Sequence, residues 1–204
     1  SASAGSPDLL EEGGVFNDAA GVQASSSLLT INPEVDGTAQ IDQAYLLANG
    51  WTTADAGLTY TKAATYGTAT LNIAGRRVDY LLDDDNTDTE ALLPSDTVTD
   101  TIVVQLIDDQ GGTSTVDSVF TIVGANDNPV LTAGAPSGDM EEAGGMLNAD
   151  PGIPTATVAL EFTDVDNLAV FDDAYMNAQG WTKSGGSFTQ TGLYGNVELN
   201  IATR

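Results

Sequence analysis

Apolar and polar residues alternate along five short stretches of the chain: LTYTKA (58–63), GTATLNIAG (67–75), RVDYLLD (77–83), TIVVQLI (101–107) and VDSVFTIVG (116–124). A period of two marks a half-buried strand, and the richness in Val, Ile, Thr and aromatic residues agrees with it. In the last stretch Val116, Ser118, Phe120 and Ile122 share one face, and Asp117, Val119, Thr121 and Val123 share the other. Gly, Asp and Asn punctuate the stretches, and IDDQGG (107–112) reads as a hairpin turn, with a ligand role for Asp108 or Asp109 as the lesser alternative. Helical period is confined to DQAYLLANG (42–50) and DDAYMNAQG (172–180). Many short strands without a βαβ rhythm predict an all-β, antiparallel β-sandwich, with Trp51 and Tyr66 in the core or at its edge.

The same pattern occurs twice. Glu11 and Glu12 reappear as Glu141 and Glu142, AYLLANGW ending at Trp51 as AYMNAQGW ending at Trp181, and Glu34 and Asp36 as Asp164 and Asp166, each 130 residues on. TYGTATLNIAGR then matches LYGNVELNIATR with an offset of 128. The two-residue deletion lies between Trp and Tyr-Gly, where a hairpin loop tolerates it. The expected organisation is one complete repeat over 1–130 and the first half of a second over 131–204, with a linker at 124–130. The opening SASAGSPD and the close LNIATR read as the ends of a piece of something longer. The half-repeat is then either cut by that boundary or completed by another chain.

Charge adds a constraint. The chain's 204 residues carry 30 acidic and 5 basic side chains, a net charge of −25, with no His and no Cys. Such a chain offers nothing to phosphates, which argues against nucleic acid, and it suits neither an anionic membrane surface nor membrane insertion. Its self-repulsion calls for neutralisation, and hard divalent cations prefer carboxylate and carbonyl oxygens. The absent thiols and imidazoles remove the common zinc ligands and the usual nucleophile and base. No phosphate loop and no sugar cleft are visible, so the expectation is not an enzyme.

The joint between the copies collects oxygen ligands for Ca2+. GANDNPV supplies Asn126, Asp127 and Asn128, stiffened by Pro129; Glu141 and Glu142 follow. Asp164 and Asp166 lie two apart and so point the same way in extended backbone. Asp100 is a further ligand from the first repeat, and Glu11, Glu12, Glu34 and Asp36 are the corresponding set at its start. LLDDDNTDTE, with Asp83 to Glu90, is either a calcium loop within the repeat or a solvated loop.

TYGTATLNIAGRRVDYLLDD and VTDTIVVQLIDDQGGTSTVDSVFTIVGANDNPV together resemble the VCBS and cadherin-like tandem repeats of large secreted RTX-type bacterial adhesins. The resemblance implies an Ig/cadherin-like sandwich and calcium shared at the joint by Asn126, Asp127, Asn128, Glu142, Asp164 and Asp166. Glu34 departs from it by standing where the family's D-x-D has its first Asp. It implies a secreted, extracellular, cell-surface protein whose repeats extend and stiffen an adhesive stalk in cell adhesion or biofilm. The partners expected are neighbouring repeats of the same chain and homotypic copies. Two alternatives are a subunit of a self-assembling filament that exchanges strands through its half-domain, and a glycan- or protein-binding module built around Trp51 and Trp181.

Overall fold

The computed structural model describes residues 1–2, 7–13, 20–31, 38–147, 149–166 and 168–203. The fold is all-β. The chain divides into two compact units, Ser1–Asn128 with Val165–Asn167, and Pro129–Asp164 with Leu168–Arg204.

The first unit contains, in order, β1 (Leu9–Leu10), β2 (Ala24–Leu28), β3 (Gln40–Ile41), helix α1 (Gln43–Ala48), β4 (Thr59–Ala63), β5 (Gly67–Asn72), β6 (Arg77–Leu82), helix α2 (Thr87–Glu90), β7 (Thr97–Ile107) and β8 (Thr113–Val123). These strands form two sheets, ordered β1-β8-β7-β3 and β2-β6-β5-β4. Alternation decides which side chains meet between them. Val78, Tyr80 and Leu82 from β6, Ala69 and Leu71 from β5, Ile102 and Val104 from β7, and Phe120 and Ile122 from β8 fall in one buried cluster. Each large apolar side chain buried there contributes about 1.5–3 kcal/mol. Tyr80 of one sheet stacks on Phe120 of the other, ring centroids 4.8 Å apart.

Among the described residues of this unit, pairing is antiparallel except at β1, which runs parallel to β8 with Leu9 opposite Ile122. That one parallel pair brings the residues after Leu10 beside the residues after Val123. The turn from Asp108 to Gly112 is a hairpin, closed by Asp108 N–H donating to the Gly112 carbonyl, with Gly111 at a φ of +88° that favours glycine. Helix α1 starts where the sequence places it, its first turn capped by the Asp42 carboxylate accepting from Tyr45 N at 3.0 Å. The single-turn α2 differs from expectation, because its acidic run shows no helical period. Asn86 caps it by accepting from Asp88 N at 2.8 Å, and fully buried Thr89 anchors it.

The second unit contains β9 (Val130–Ala133), β10 (Leu160–Thr163), helix α3 (Asp173–Ala178), β11 (Thr182–Ser184), β12 (Ser187–Thr191) and β13 (Asn196–Asn200). β9 pairs with β10, and β11-β12-β13 form an antiparallel meander. The equivalences with the first unit are close. Asp172 caps α3 as Asp42 caps α1. Thr52 pairs with Thr61 across an Asp55-centred loop, and Thr182 pairs with Thr189 across the tight Gly185–Gly186 turn. The shorter loop therefore keeps the pairing.

Candidate metal centre

Three carboxylates of the first unit converge. Glu11, Glu90 and Asp127 each present a ligand atom, all within 4.8 Å of one another. Glu11 arrives through the parallel β1–β8 pair: its N–H donates to the Val123 carbonyl at 3.1 Å, so its side chain lies beside the chain that leaves β8. That exit is tight. A Cβ on Gly124 would come within 2.4 Å of the Leu93 carbonyl oxygen, so a glycine lets Ala125 sink into the unit. Ala125 N then donates to Glu11 Oε2 at 2.9 Å. Two residues further on comes Asp127, 4% exposed. Glu90 ends α2, which Thr89 fastens by donating to the Tyr66 carbonyl and Asn86 by donating to the Thr65 carbonyl.

A second layer of polar contacts holds this group. Glu12 N donates to Asp84 Oδ1 at 3.1 Å, and Gln23 Nε2 donates to both Glu12 and Asp84. Asp127 N donates to Asp166 Oδ2 at 3.3 Å. Asn126 Nδ2 donates to the Asp127 carbonyl at 2.6 Å, which fixes the conformation of the linker at that point.

The electrostatics are unfavourable as they stand. Burial above all, then the charges of Asp127, Glu90 and Asp84, pushes the Glu11 carboxyl up to about 7 against the opposing Ala125 hydrogen bond. Glu90 is raised for the same reasons, burial first and Asp127 next. Glu11 Oε1 is fully buried without a hydrogen-bond partner, although a buried polar oxygen ordinarily has one. Arg77 is paired with Asp79 and Lys183 with Asp173, so neither cation serves the cluster. Buried, converging carboxylate oxygens with one oxygen unserved by any donor suit a hard divalent cation. No family model matches the chain, and no curated protein matches it.

The expected ligands are placed as follows. Glu11 and Asp127 belong to the triad itself; Asn126 and Asp166 are hydrogen-bonded to Asp127, and Glu12, next to Glu11 in the chain, is hydrogen-bonded to Asp84 and Gln23. Asn128 is exposed at the end of the first unit. Asp164 is half-buried and falls with the second unit, while Asp166 falls with the first. The backbone bends at 165–166, so the pair does not sit on extended chain. Glu141 and Glu142 are exposed residues of the second unit, Glu141 bridging to Ile153. Their equivalent Glu11 meets the end of its own repeat at Val123 and Ala125; Glu141 and Glu142 lie in the second unit.

Asp100 does not join the cluster. It lies in the middle of β7 facing inward, and its carboxylate accepts from Tyr66 N at 3.0 Å, Thr65 N at 3.3 Å and the Tyr80 hydroxyl. Burial and that carboxylate push the Tyr80 phenol up. Asp100 thus ties the loop before β5 to the opposite sheet. Glu34 and Asp36 lie outside the described residues. Glu90, Asp84 and Asp85 belong to the stretch that the sequence leaves open between a calcium loop within the repeat and a solvated loop. They sit in the acidic run 83–90, and nothing local distinguishes a solvated loop from one folded back against residue 127.

Proposed function

We propose that this chain is a divalent-cation-stabilised β-sandwich repeat, with calcium as the ion, serving as an extracellular structural module of a bacterial surface adhesin. The observation that carries the reading is the buried Glu11–Glu90–Asp127 triad with the unserved Oε1 of Glu11. Calcium supplies charge neutralisation and takes six to eight oxygens in flexible geometry. Glu11 and Glu90 hold that charge from two elements of the sandwich, and Asp127 holds it from the segment leaving β8. Asn126 and Asp166 fix the backbone around Asp127. Residues 124–128 are then clamped to the sandwich instead of swinging from it, and a series of repeats so clamped makes a stiff stalk. The acidic composition and the resemblance to adhesin repeats support the same reading. Trp51 is 2% exposed and belongs to the core, which leaves the glycan- or protein-binding alternative without that residue.

Thermal unfolding in EGTA and in millimolar calcium is the test. Binding to the folded chain alone adds about 2.7 kcal/mol at 100 times Kd, so the transition moves up by several degrees. Magnesium substitutes poorly, because it demands a tighter octahedral shell and keeps its waters. Superimposable curves in EGTA and calcium sink the reading.

A further inference from the structure

The solvent face of the sheet β2-β6-β5-β4 holds a groove of about 550 Å³, into which Ser26, Thr68, Thr70, Arg77, Asp79 and Leu81 project. Alternation puts them there. Val78, Tyr80 and Leu82 turn into the core, so Arg77, Asp79 and Leu81 turn out; Ala69 and Leu71 turn in, so Thr68 and Thr70 turn out. The ladder then sets two rows across the groove. Thr70 faces Asp79, and Asp79 faces Ser26; Thr68 faces Leu81, and Leu81 faces Ala24. Neighbouring strands lie about 4.8 Å apart, so the first row is three oxygen-bearing side chains at even intervals, on the scale of the hydroxyls around a sugar ring.

The charges in the groove cancel. Arg77 grips Asp79 through two bonds, Nε to Oδ1 at 2.7 Å and Nη2 to Oδ2 at 2.9 Å, so neither an anion nor a cation finds an unpaired opposite charge there. The chain's net charge of −25 disfavours an anion further. What remains free is mostly hydroxyl. The side chains of Ser26, Thr68 and Thr70 make no hydrogen bond among the described residues, and each hydroxyl can both donate and accept. The second row is more apolar: Leu81, 57% exposed, lies between Ala24 and the methyl group of Thr68. Beneath both rows Val78, Tyr80, Ala69 and Leu71 are locked in the core, and the β-branched threonines are stiff at χ1, so the surface is pre-organised.

We propose that this groove binds a neutral saccharide. A pyranose carries hydroxyls around its rim and C–H groups on its faces. The rim exchanges hydrogen bonds with Ser26, Thr70 and the Asp79 carboxylate, Arg77 donates to it through Nη1, and a C–H face rests on Leu81 and Ala24. An added peptide strand suits the groove less. β6 is paired on both sides, with β2 and with β5, so its backbone groups are spent in the ladder and the groove offers side chains alone. The site shares no residue with the Glu11–Glu90–Asp127 triad and does not rest on the metal reading.

The probes are maltotriose, cellotriose and mannotriose as neutral sugars and trigalacturonate as an acidic one, each titrated into the isotope-labelled full chain while backbone amide shifts are followed. At least one neutral trisaccharide moves the amides of residues 24–26, 68–70 and 77–81 saturably, in the millimolar range, and trigalacturonate leaves them in place. Thr70→Val keeps the shape of the side chain and removes its hydroxyl, which weakens binding about three- to tenfold. Asp79→Asn leaves the Arg77 guanidinium unpaired, so trigalacturonate then moves the same amides. Four results overturn the proposal: no saturable shift with any neutral trisaccharide at tens of millimolar, shifts that map outside these strands, an affinity that Thr70→Val leaves unchanged, or trigalacturonate binding the parent chain as tightly as the neutral sugars do.

Discussion

Tyr66 and Tyr194 occupy the same place in two copies of one sequence pattern, yet Tyr66 packs against the core while Tyr194 is 97% exposed. The contrast runs through the shared half: Leu71 is fully buried, and Leu199 only half so. What does not differ is local structure. The capped helix, the Thr–Thr pairing and the following hairpin are alike in both units. Local geometry here follows from turn chemistry and alternation, whereas burial is conferred by strands more distant in sequence. The second unit has its own apolar contacts, with Phe171 edge-on to both Phe162 and Phe188, and Phe188 is fully buried.

The sharpest way to break that comparison is to cut the same side chain in both units. Leu71→Ala removes a fully buried side chain and costs the first unit about 2–5 kcal/mol. Leu199→Ala removes a half-exposed one and costs less than about 1 kcal/mol. Urea unfolding followed by tryptophan emission measures both, and equal losses would mean that the two faces are covered alike. A smaller effect separates the two acidic pairs. Glu11→Gln abolishes most of the ~2.7 kcal/mol calcium increment expected at 100 times Kd, whereas Glu141→Gln, outside the triad, leaves it in place. A calcium response lost equally in both variants contradicts the assignment of the triad.

Acidity gives the smallest of the three effects. Glu11 has a folded-state value of about 7 against 4.5 for the free group. Between those values the folded chain holds a proton that the unfolded chain has released, so in EGTA stability falls as pH rises through that window. Allowing for solvent screening of the cluster, the loss is roughly 2 kcal/mol, and it levels off above about pH 7. Glu11→Gln in EGTA makes the slope shallower, leaving the part due to the raised Glu90 carboxyl. Equilibrium unfolding at pH 5, 6, 7 and 8 shows it, and a slope of the opposite sign would mean that Glu11 is ionised and satisfied without metal.

Much of the fold was legible because it is written in alternation. Val116, Ser118, Phe120 and Ile122 turn inward as their period requires, and α1 and α3 follow directly on their capping Asp. The parallel seating of β1 was not legible, since two residues carry no period. Nor was α2, whose single turn is specified by the Asn86 cap and the burial of Thr89. The site was half legible for the same reason. Asp127 and Glu11 stand out as acidic residues beside turn and strand signals. Glu90 lies in a run of like residues, and its position depends on a fold-back that only the packed unit creates. Asp100 shows the converse: V-T-D-T suggests a ligand, but the inward face of β7 commits that carboxylate to Tyr66 and Tyr80.

The parallel union of β1 with β8 has a kinetic consequence. Ala125 and Glu11 meet across 114 residues of sequence, so the contact that completes the acidic cluster closes a loop nearly as long as the unit. Contacts of such range form late, after the local hairpins have condensed. An ion bound there would join a structure whose local hairpins are already formed. Its grip would then act on the way out rather than on the way in, lengthening the lifetime of the folded state more than it changes the rate of reaching it.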